Sequence, residues 1–272
     1  MKFKVGEVSV WLELNKIDKL TELIVTKAPM FTVKGGKVKI YHAKWPEMER
    51  CVAIKFIIKL NSATENAARK EIDVFERFYR SGLDEESRII NYFGHEENSI
   101  KIMNQNLQVS SIVMELGEKN LLAYYADIIK NGSNDAWLLT NILISAAESL
   151  DQFHKQGFVN LDIKSENFVS THGRDQNDLP VFKLIDFGTS EVVNEQGLKH
   201  LQKKVLGTDV YMAPEIKDKK SVWVSQKADV YSFGFLIYKL LYSRQEQLEV
   251  IDFNKLGNFN QLDTVIEACQ TN

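Results

Sequence analysis

Asp162-Ile163-Lys164-Ser165-Glu166-Asn167 and, a short interval later, Asp186-Phe187-Gly188 are the stretches from which the rest of the sequence can be organised. Each adjoins an apolar run: Phe168-Val169 follows the first, and Val181-Phe182-Lys183-Leu184-Ile185 precedes the second. These runs read as short strands joined by the polar loop Thr171 to Pro180. Upstream, Asn134 or Asp135 is placed to cap a long helix through Leu138, Ile142, Leu143, Ala147, Leu150, Phe153 and His154, ended by Gly157. Downstream, Gln226 to Leu241 is apolar nearly all round, the pattern of a helix buried in the middle of a domain.

The first half reads mostly as strand. Met30 to Val33 and the alternating run Val38, Ile40, Ala43 flank Gly35-Gly36, a hairpin signal. Cys51-Val52-Ala53-Ile54-Lys55-Phe56-Ile57-Ile58 is almost wholly apolar, as a strand covered on both faces is. Ser62-Ala63-Thr64-Glu65 then has the form of a capping box and opens a helix reaching Arg80, with an apolar face through Ala68, Ile72, Phe75, Phe78 and Tyr79. Lys55 in the strand and Glu71 on that face are two misplaced charges. Pairing them explains both; a snorkelling lysine and a rim glutamate is the other reading. Ser111 to Gly117 is a further strand. Met1 to Ala28 mixes apolar and charged positions, suits an extra strand or helix, and carries no functional signal.

Composition narrows the classes. The 272 residues carry 34 Lys+Arg against 37 Asp+Glu, a net charge of −3, with 44% hydrophobic and 26% charged residues. That is a globular composition, with enough apolar content to argue against disorder. The near-neutral balance gives no general attraction to nucleic acid or anionic membrane, and no apolar run approaches the ~20 residues of a membrane span. The two cysteines, Cys51 and Cys269, lie at opposite ends without metal-ligand spacing, which fits a reduced compartment. The N-terminus lacks the apolar run of a secretory signal. A cytoplasmic protein is expected.

Four segments in order resemble the protein kinase family: Val52-Ala53-Ile54-Lys55, Asp162 to Asn167, Asp186-Phe187-Gly188, and Gly207-Thr208-Asp209-Val210-Tyr211-Met212-Ala213-Pro214-Glu215. The resemblance covers residues 30–272. It implies an α+β, two-lobed fold: a small antiparallel-sheet lobe with one helix and a larger, mainly helical lobe. The domains it implies are an N-terminal extension (1–28), the small lobe and hinge (29–117) and the large lobe (118–272).

Phosphoryl transfer is mainly positioning and neutralisation of charge on the phosphate oxygens, so it needs these residue types. Carried over position by position, Lys55 holds the α and β phosphates of ATP and Glu71 holds Lys55. Asn167 and Asp186 ligate Mg²⁺, a hard cation suited to oxygen donors. Asp162 accepts or orients the proton of the attacking hydroxyl, and Lys164 steadies the γ-phosphate. Adenine is expected between Ala53 and Ile40 above and Val169 below, its edge on the backbone of Glu115, Leu116 and Gly117, with Met114 as gatekeeper. Asp229 matches the family's anchor for the catalytic-loop backbone, or is an exposed helix cap. Lys164 and the Gly207-Thr208 step resemble the serine/threonine branch, so a protein Ser or Thr hydroxyl is the expected acceptor.

The sequence departs from the family pattern in three places. Val33, Gly35 and Val38 stand where the glycine-rich loop has three glycines, so only Gly35 remains to let backbone N–H groups approach phosphate. Lys34 and Lys37 either compensate by charge or are ordinary exposed lysines. Asn160-Leu161-Asp162 replaces His-Arg-Asp: Leu161 cannot pair with a phosphorylated activation loop, and the only hydroxyls between Gly188 and Gly207 are Thr189 and Ser190. Activation-loop phosphorylation is therefore not the expected switch, and Asn160 is expected to weaken the packed column with Phe75 and Phe187. Finally, Leu262 to Cys269 resembles the helix before the family's late Asp-Pro…Arg segment, and no arginine follows to pair with Glu215. A fragment of a longer product and a trimmed lobe both account for that. The full charged set favours an active ATP- and Mg²⁺-dependent serine/threonine kinase; the departures favour a pseudokinase scaffold; the Gly207 to Glu215 segment disfavours a small-molecule kinase.

Overall fold

The apolar run around Lys55 becomes the middle of a seven-stranded sheet. The computed structural model describes residues 7–17, 19–32, 37–82, 87–102, 105–131, 136–202, 204, 207–217, 221–242 and 261–271. The chain divides into one unit of Met1–Glu85 and Ile90–Gly117 and a second of Glu86–Ile89 and Glu118–Asn272.

In the first unit the strands are β1 (Glu7–Leu12), β2 (Thr21–Thr26), β3 (Phe31–Thr32), β4 (Val38–Trp45), β5 (Arg50–Lys59), β6 (Tyr92–Ile102) and β7 (Gln105–Glu115), with helix α1 (Ser62–Arg80) between β5 and β6. All pair antiparallel, in the order β1-β2-β4-β5-β7-β6, with β3 on β4. Phe31 faces Ile40 and Thr32 faces Lys39, as the hairpin reading expects; the turn itself, with Val33, Lys34 and Gly35, lies outside the described residues. Met1 to Ala28 supplies β1 and β2. Leu12, Leu14, Leu23 and Val25 from this segment are buried in one cluster with Ala43, Trp45, Val52, Ile54 and Val113. At about 1.5–3 kcal/mol for each large aliphatic side chain fully buried, these four residues make β1 and β2 an integral part of the sheet's core.

Helix α1 runs over the predicted residues, but its cap lies one residue earlier. Asn61, not Ser62, is the N-cap: its side chain accepts the Thr64 N–H, and the Thr64 hydroxyl oxygen accepts the Asn61 N–H. Asparagine is at least as good a cap as serine, and threonine closes the box as glutamate would. Ala68, Glu71, Ile72, Phe75 and Phe78 are buried, whereas Tyr79 is 47% exposed and departs from the predicted apolar face.

The second unit contains α2 (Leu121–Lys130), α3 (Ala136–Lys155), β8 (Phe158–Val159), β9 (Phe168–Arg174), β10 (Pro180–Leu184), β11 (Glu191–Val192), β12 (Leu198–Leu201), β13 (Val222–Ser225), α4 (Lys227–Tyr242) and α5 (Gln261–Thr271). The expected caps of α3, Asn134 and Asp135, lie outside the described residues, and Gly157 adopts the left-handed conformation (φ 77°) that ends the helix. Strands β9 and β10 reach further into the Thr171 to Pro180 stretch than its polarity suggested, because Asp175 Oδ1 accepts the N–H groups of Asn177 and Leu179 and closes a shorter turn. Helix α4 is buried nearly all round, as predicted. It meets α5 closely: a Cβ on Gly234 would lie 2.4 Å from Cys269 Cβ. The fold class is the expected one, α+β, with a sheet-rich first unit that carries one α-helix among its described residues and a mainly helical second unit.

Candidate catalytic site

In the first unit, Lys55 and Glu71 meet. Lys55 Nζ lies 2.7 Å from both Glu71 carboxylate oxygens, and both side chains are buried. The paired reading of these two charges is the one the structure bears out. Register places Ile40 opposite Lys55 on β4, and Met114 opposite Ala53 on β7. Because side chains two apart and directly opposite share a face, Ile40, Ala53, Lys55 and Met114 lie on one face of the sheet. Glu115 ends β7, its N–H taken by the Asn91 carbonyl (2.8 Å), and Leu116 and Gly117 follow at the end of the unit. Gly35 lies outside the described residues.

In the second unit, a set of short bonds converges on Asp162. Its Oδ1 accepts the Thr208 N–H (2.8 Å) and the Thr208 hydroxyl (2.7 Å), and its Oδ2 accepts Lys164 Nζ (2.5 Å), which also reaches Thr208 Oγ1 at 3.2 Å. Asn167 is buried, and its Nδ2 donates to the Asp162 carbonyl at 2.9 Å. Val169 lies two residues further on, in β9, opposite Lys183.

The backbone of this loop is held from below by α4. Asp229 is fully buried, and its two oxygens accept the N–H groups of Leu161 (2.8 Å) and Asn160 (2.7 Å), with His154 Nε2 at 2.8 Å. The anchor reading holds and the exposed-cap reading does not. Leu161 and Asp186 both have left-handed backbones (φ 68° and 65°), a conformation that costs a residue with a Cβ of order 1–3 kcal/mol and persists where neighbours enforce it. Gly207 belongs to the same arrangement, since a Cβ there would lie 2.5 Å from the Leu161 carbonyl oxygen.

Asn160 behaves opposite to expectation. Rather than weakening an apolar column, the buried side chain links the two motifs: Oδ1 accepts the Asp162 N–H (3.0 Å) and Nδ2 donates to the Asp186 carbonyl (3.2 Å). Its own carbonyl accepts the Thr189 hydroxyl at 2.8 Å. A buried amide satisfied at both ends carries little desolvation penalty. Phe187 is fully buried and stacks on Phe153 at 5.3 Å, while Phe75 stacks on Tyr92 at 5.0 Å. Leu161 is buried with Val159, Leu201, Met212, Ala213 and Ile216, so aliphatic packing holds the segment where the family places an arginine. Tyr211 is buried as well; burial first, then the Glu166 and Asp162 carboxylates, push its hydroxyl above the ordinary tyrosine range and keep it neutral.

Comparison with known proteins agrees with this geometry. The family described as "Protein kinase domain" matches residues 34–264. The chain belongs to the protein kinase family. This kinase chain is 27% identical over 225 residues to "Serine/threonine-protein kinase mph1" of Schizosaccharomyces pombe, covering 78% of this chain and 30% of that protein. It is 24% identical over 257 residues to "Dual specificity protein kinase TTK" of Mus musculus, 89% of this chain and 27% of that protein. It is 27% identical over 215 residues to "Serine/threonine-protein kinase pkn2" of Myxococcus xanthus, 77% and 23% respectively. The chain thus spans less than a third of the length of these curated relatives. Their kinase names do not favour the pseudokinase alternative.

Sequence reading missed the bonding of Thr208 to Asp162, although the Gly207-Thr208 step was visible as a branch marker. It also missed Asn160 as a link, and the contacts of residues 13–16 with α1 and β6, for which no local signal exists.

Proposed function

We propose that this kinase chain transfers the γ-phosphoryl group of ATP, with Mg²⁺, to Ser or Thr hydroxyls of a protein substrate. The observation that carries the reading is the Asp162 carboxylate, fixed by Thr208 and Lys164 with Asn167 on its own carbonyl. Three short bonds from Thr208 and Lys164, with a longer one from Asn167 Nδ2 at 3.5 Å, orient the carboxylate to take the proton of an incoming hydroxyl. Lys164 and Thr208, the residues on which the serine/threonine reading rests, are both bonded to it.

Lys55 is assigned to the α and β phosphates, with Glu71 as its positioning residue. The buried Glu71 carboxylate holds the Lys55 ammonium in place through both of its oxygens. Lys164, two residues from the base, is assigned to the γ-phosphate. Ile40, Ala53, Met114 and Val169 are assigned to adenine, with Glu115, Leu116 and Gly117 at its edge and Gly35 at the phosphates.

Asn167 and Asp186 fit Mg²⁺. The Asn167 amide nitrogen is used by the Asp162 carbonyl, so its amide oxygen is the atom assigned to the ion, together with the Asp186 carboxylate. Mg²⁺ commonly takes one or two protein oxygens and completes its shell with phosphates and water. When bound, Mg²⁺ supplies neutralisation of the phosphate oxygens.

We assign the small lobe and hinge to residues 29–117 and the large lobe to 118–272, with 1–28 as an addition. The near-neutral charge and two separated cysteines support a cytoplasmic protein that acts on protein rather than on nucleic acid or membrane; among the described residues no helix is long and apolar enough to cross a membrane. The test is transfer of labelled γ-phosphate from ATP with Mg²⁺ to a generic protein substrate, followed by identification of the phosphorylated residue. Phosphoserine and phosphothreonine are expected; phosphotyrosine alone, or no transfer from folded protein, contradicts the reading.

A further inference from the structure

The segment between β1 and β2 lies outside the part of the chain that the family matches, which begins at residue 34. It is nevertheless bonded to the helix that carries Glu71. The Asn15 backbone N–H donates to the His95 carbonyl (3.1 Å), and its side-chain Oδ1 accepts the His95 N–H (2.9 Å), which seats the segment on β6. Asn15 Nδ2 donates to Glu76 Oε1 on α1 at 2.9 Å. The Tyr92 hydroxyl of β6 reaches the same Glu76 oxygen at 3.0 Å. Lys16 Nζ stands 3.0 Å from the ring centroid of Tyr79 on α1 and 4.0 Å from that of Tyr92, a cation between two aromatic faces. Gly94 permits the approach: its φ is 145°, and a Cβ there would lie 3.0 Å from Leu14 Cβ and 3.2 Å from Asn15 Oδ1.

These contacts converge on one helix face. Glu76 and Tyr79 lie about one and two turns beyond Glu71 on α1, and Phe75, next to Glu76 on the Glu71 side, stacks on Tyr92. A path of direct contacts therefore runs from Asn15 and Lys16 through Tyr92, Glu76 and Tyr79 into the helix whose Glu71 grips Lys55. The catalytic loop, in contrast, carries Leu161 in place of the arginine that reads a phosphorylated segment, and Leu161 is spent in an apolar cluster.

We infer that Asn15 and Lys16 are positioning residues that fix α1, so that the chain's own N-terminal segment maintains the Lys55–Glu71 pair. The inference rests on the kinase reading above. It assigns to residues 13–16 a clamp that acts in cis on the catalytic lysine.

The experiment compares the full chain with Lys16→Met, Asn15→Leu and the conservative Lys16→Arg, each also in a Glu71→Gln background. For Lys16→Met and Asn15→Leu the expected result is a fall in kcat of about tenfold with KM for ATP within about twofold, the signature of lost positioning rather than lost binding. Lys16→Arg, which keeps a cation over the rings, retains most of the activity. In the Glu71→Gln background neither substitution lowers kcat further, because residues acting through one another are not additive. Hydrogen exchange is read in parallel: the amides of α1 should exchange about tenfold faster in Lys16→Met while those of β5 and β7 keep wild-type rates. Unchanged α1 exchange, or equal losses of kcat in both backgrounds, overturns the clamp. If Asn15→Leu does not fold, the partly buried Lys16 position decides alone. If the wild type transfers no phosphate, the kinase reading fails, and α1 exchange still decides whether the clamp exists.

Discussion

Asn160 Oδ1 accepts the backbone N–H of Asp162 at 3.0 Å, from a side chain whose other end donates to the Asp186 carbonyl at 3.2 Å. One amide thereby ties the proposed base to the proposed metal ligand. An alanine at this position would take an acceptor from the Asp162 N–H and a donor from the Asp186 carbonyl.

Asn160→Ala is accordingly expected to lose about 1–3 kcal/mol of stability, the usual cost of unsatisfied buried groups, and to lower kcat by about tenfold or more through misplacement of Asp162. Chemical unfolding and steady-state transfer rates check both. Wild-type kinetics in a folded Asn160→Ala protein would show that the link is ornamental.

Restoring the family's arginine should not help. Leu161 is 8% exposed among Val159, Leu201, Met212 and Ile216, and a guanidinium placed there has no carboxylate to meet among those neighbours. Leu161→Arg is expected to destabilise by about 3–5 kcal/mol, as an uncompensated buried charge does, with no gain in activity. Thermal unfolding and transfer assays decide.

Gly207→Ala places a Cβ 2.5 Å from the Leu161 carbonyl oxygen, a backbone atom that cannot swing aside. The expected cost is about 1–3 kcal/mol of overpacking. Displacement of Thr208 from Asp162 should lower kcat more than it raises KM, which initial-rate kinetics over a range of substrate concentration would show.

Acid should loosen the N-terminal clamp. Burial alone would raise the Glu76 carboxyl, but the Asn15 and Tyr92 hydrogen bonds and the Lys16 and His95 charges hold it below its ordinary 4.5. A carboxyl whose folded pKa is depressed stabilises fully above its unfolded value, and that contribution is lost as pH falls through the folded one. The His95 imidazole is also depressed, chiefly by burial, from an ordinary 6.5, so its contribution begins to fall first, below about pH 6.5. Thermal unfolding between pH 7 and 3 should therefore show a decline below pH 6.5 that continues below 4.5, with the second part smaller in Glu76→Gln.

Much of this fold is legible in the sequence where one face of an element dominates. Strand β5 and helices α1 and α4 show their burial in unbroken or periodic apolar runs. The Lys55–Glu71 pair is legible because each charge interrupts an apolar face. Helix α2 carried an unread signal, Asn120 before Leu121, Tyr125 and Ile128, all three of them buried. Strand β6 was hidden because Glu96, Glu97, Asn98 and Lys101 give it no apolar rhythm; its pairing with β7 along the whole length decides it. Asn160 was read as a disruptor because its partners, the Asp162 N–H and the Asp186 carbonyl, are backbone groups that composition does not reveal. Asn15 was illegible for the same reason: its meaning depends on a close approach at Gly94, 79 residues away.

The central claim is that Asp162 and Asp186 are chemical parts of a working transferase. The most direct measurement is the rate of γ-phosphate transfer from ATP with Mg²⁺ by the wild type, by Asp162→Asn and by Asp186→Asn, with the unfolding temperature of each recorded alongside. Transfer by the wild type that falls by at least about a hundredfold in each variant, at little-changed unfolding temperature, is the predicted result; equal rates in all three, or no transfer by a folded wild type, would contradict it.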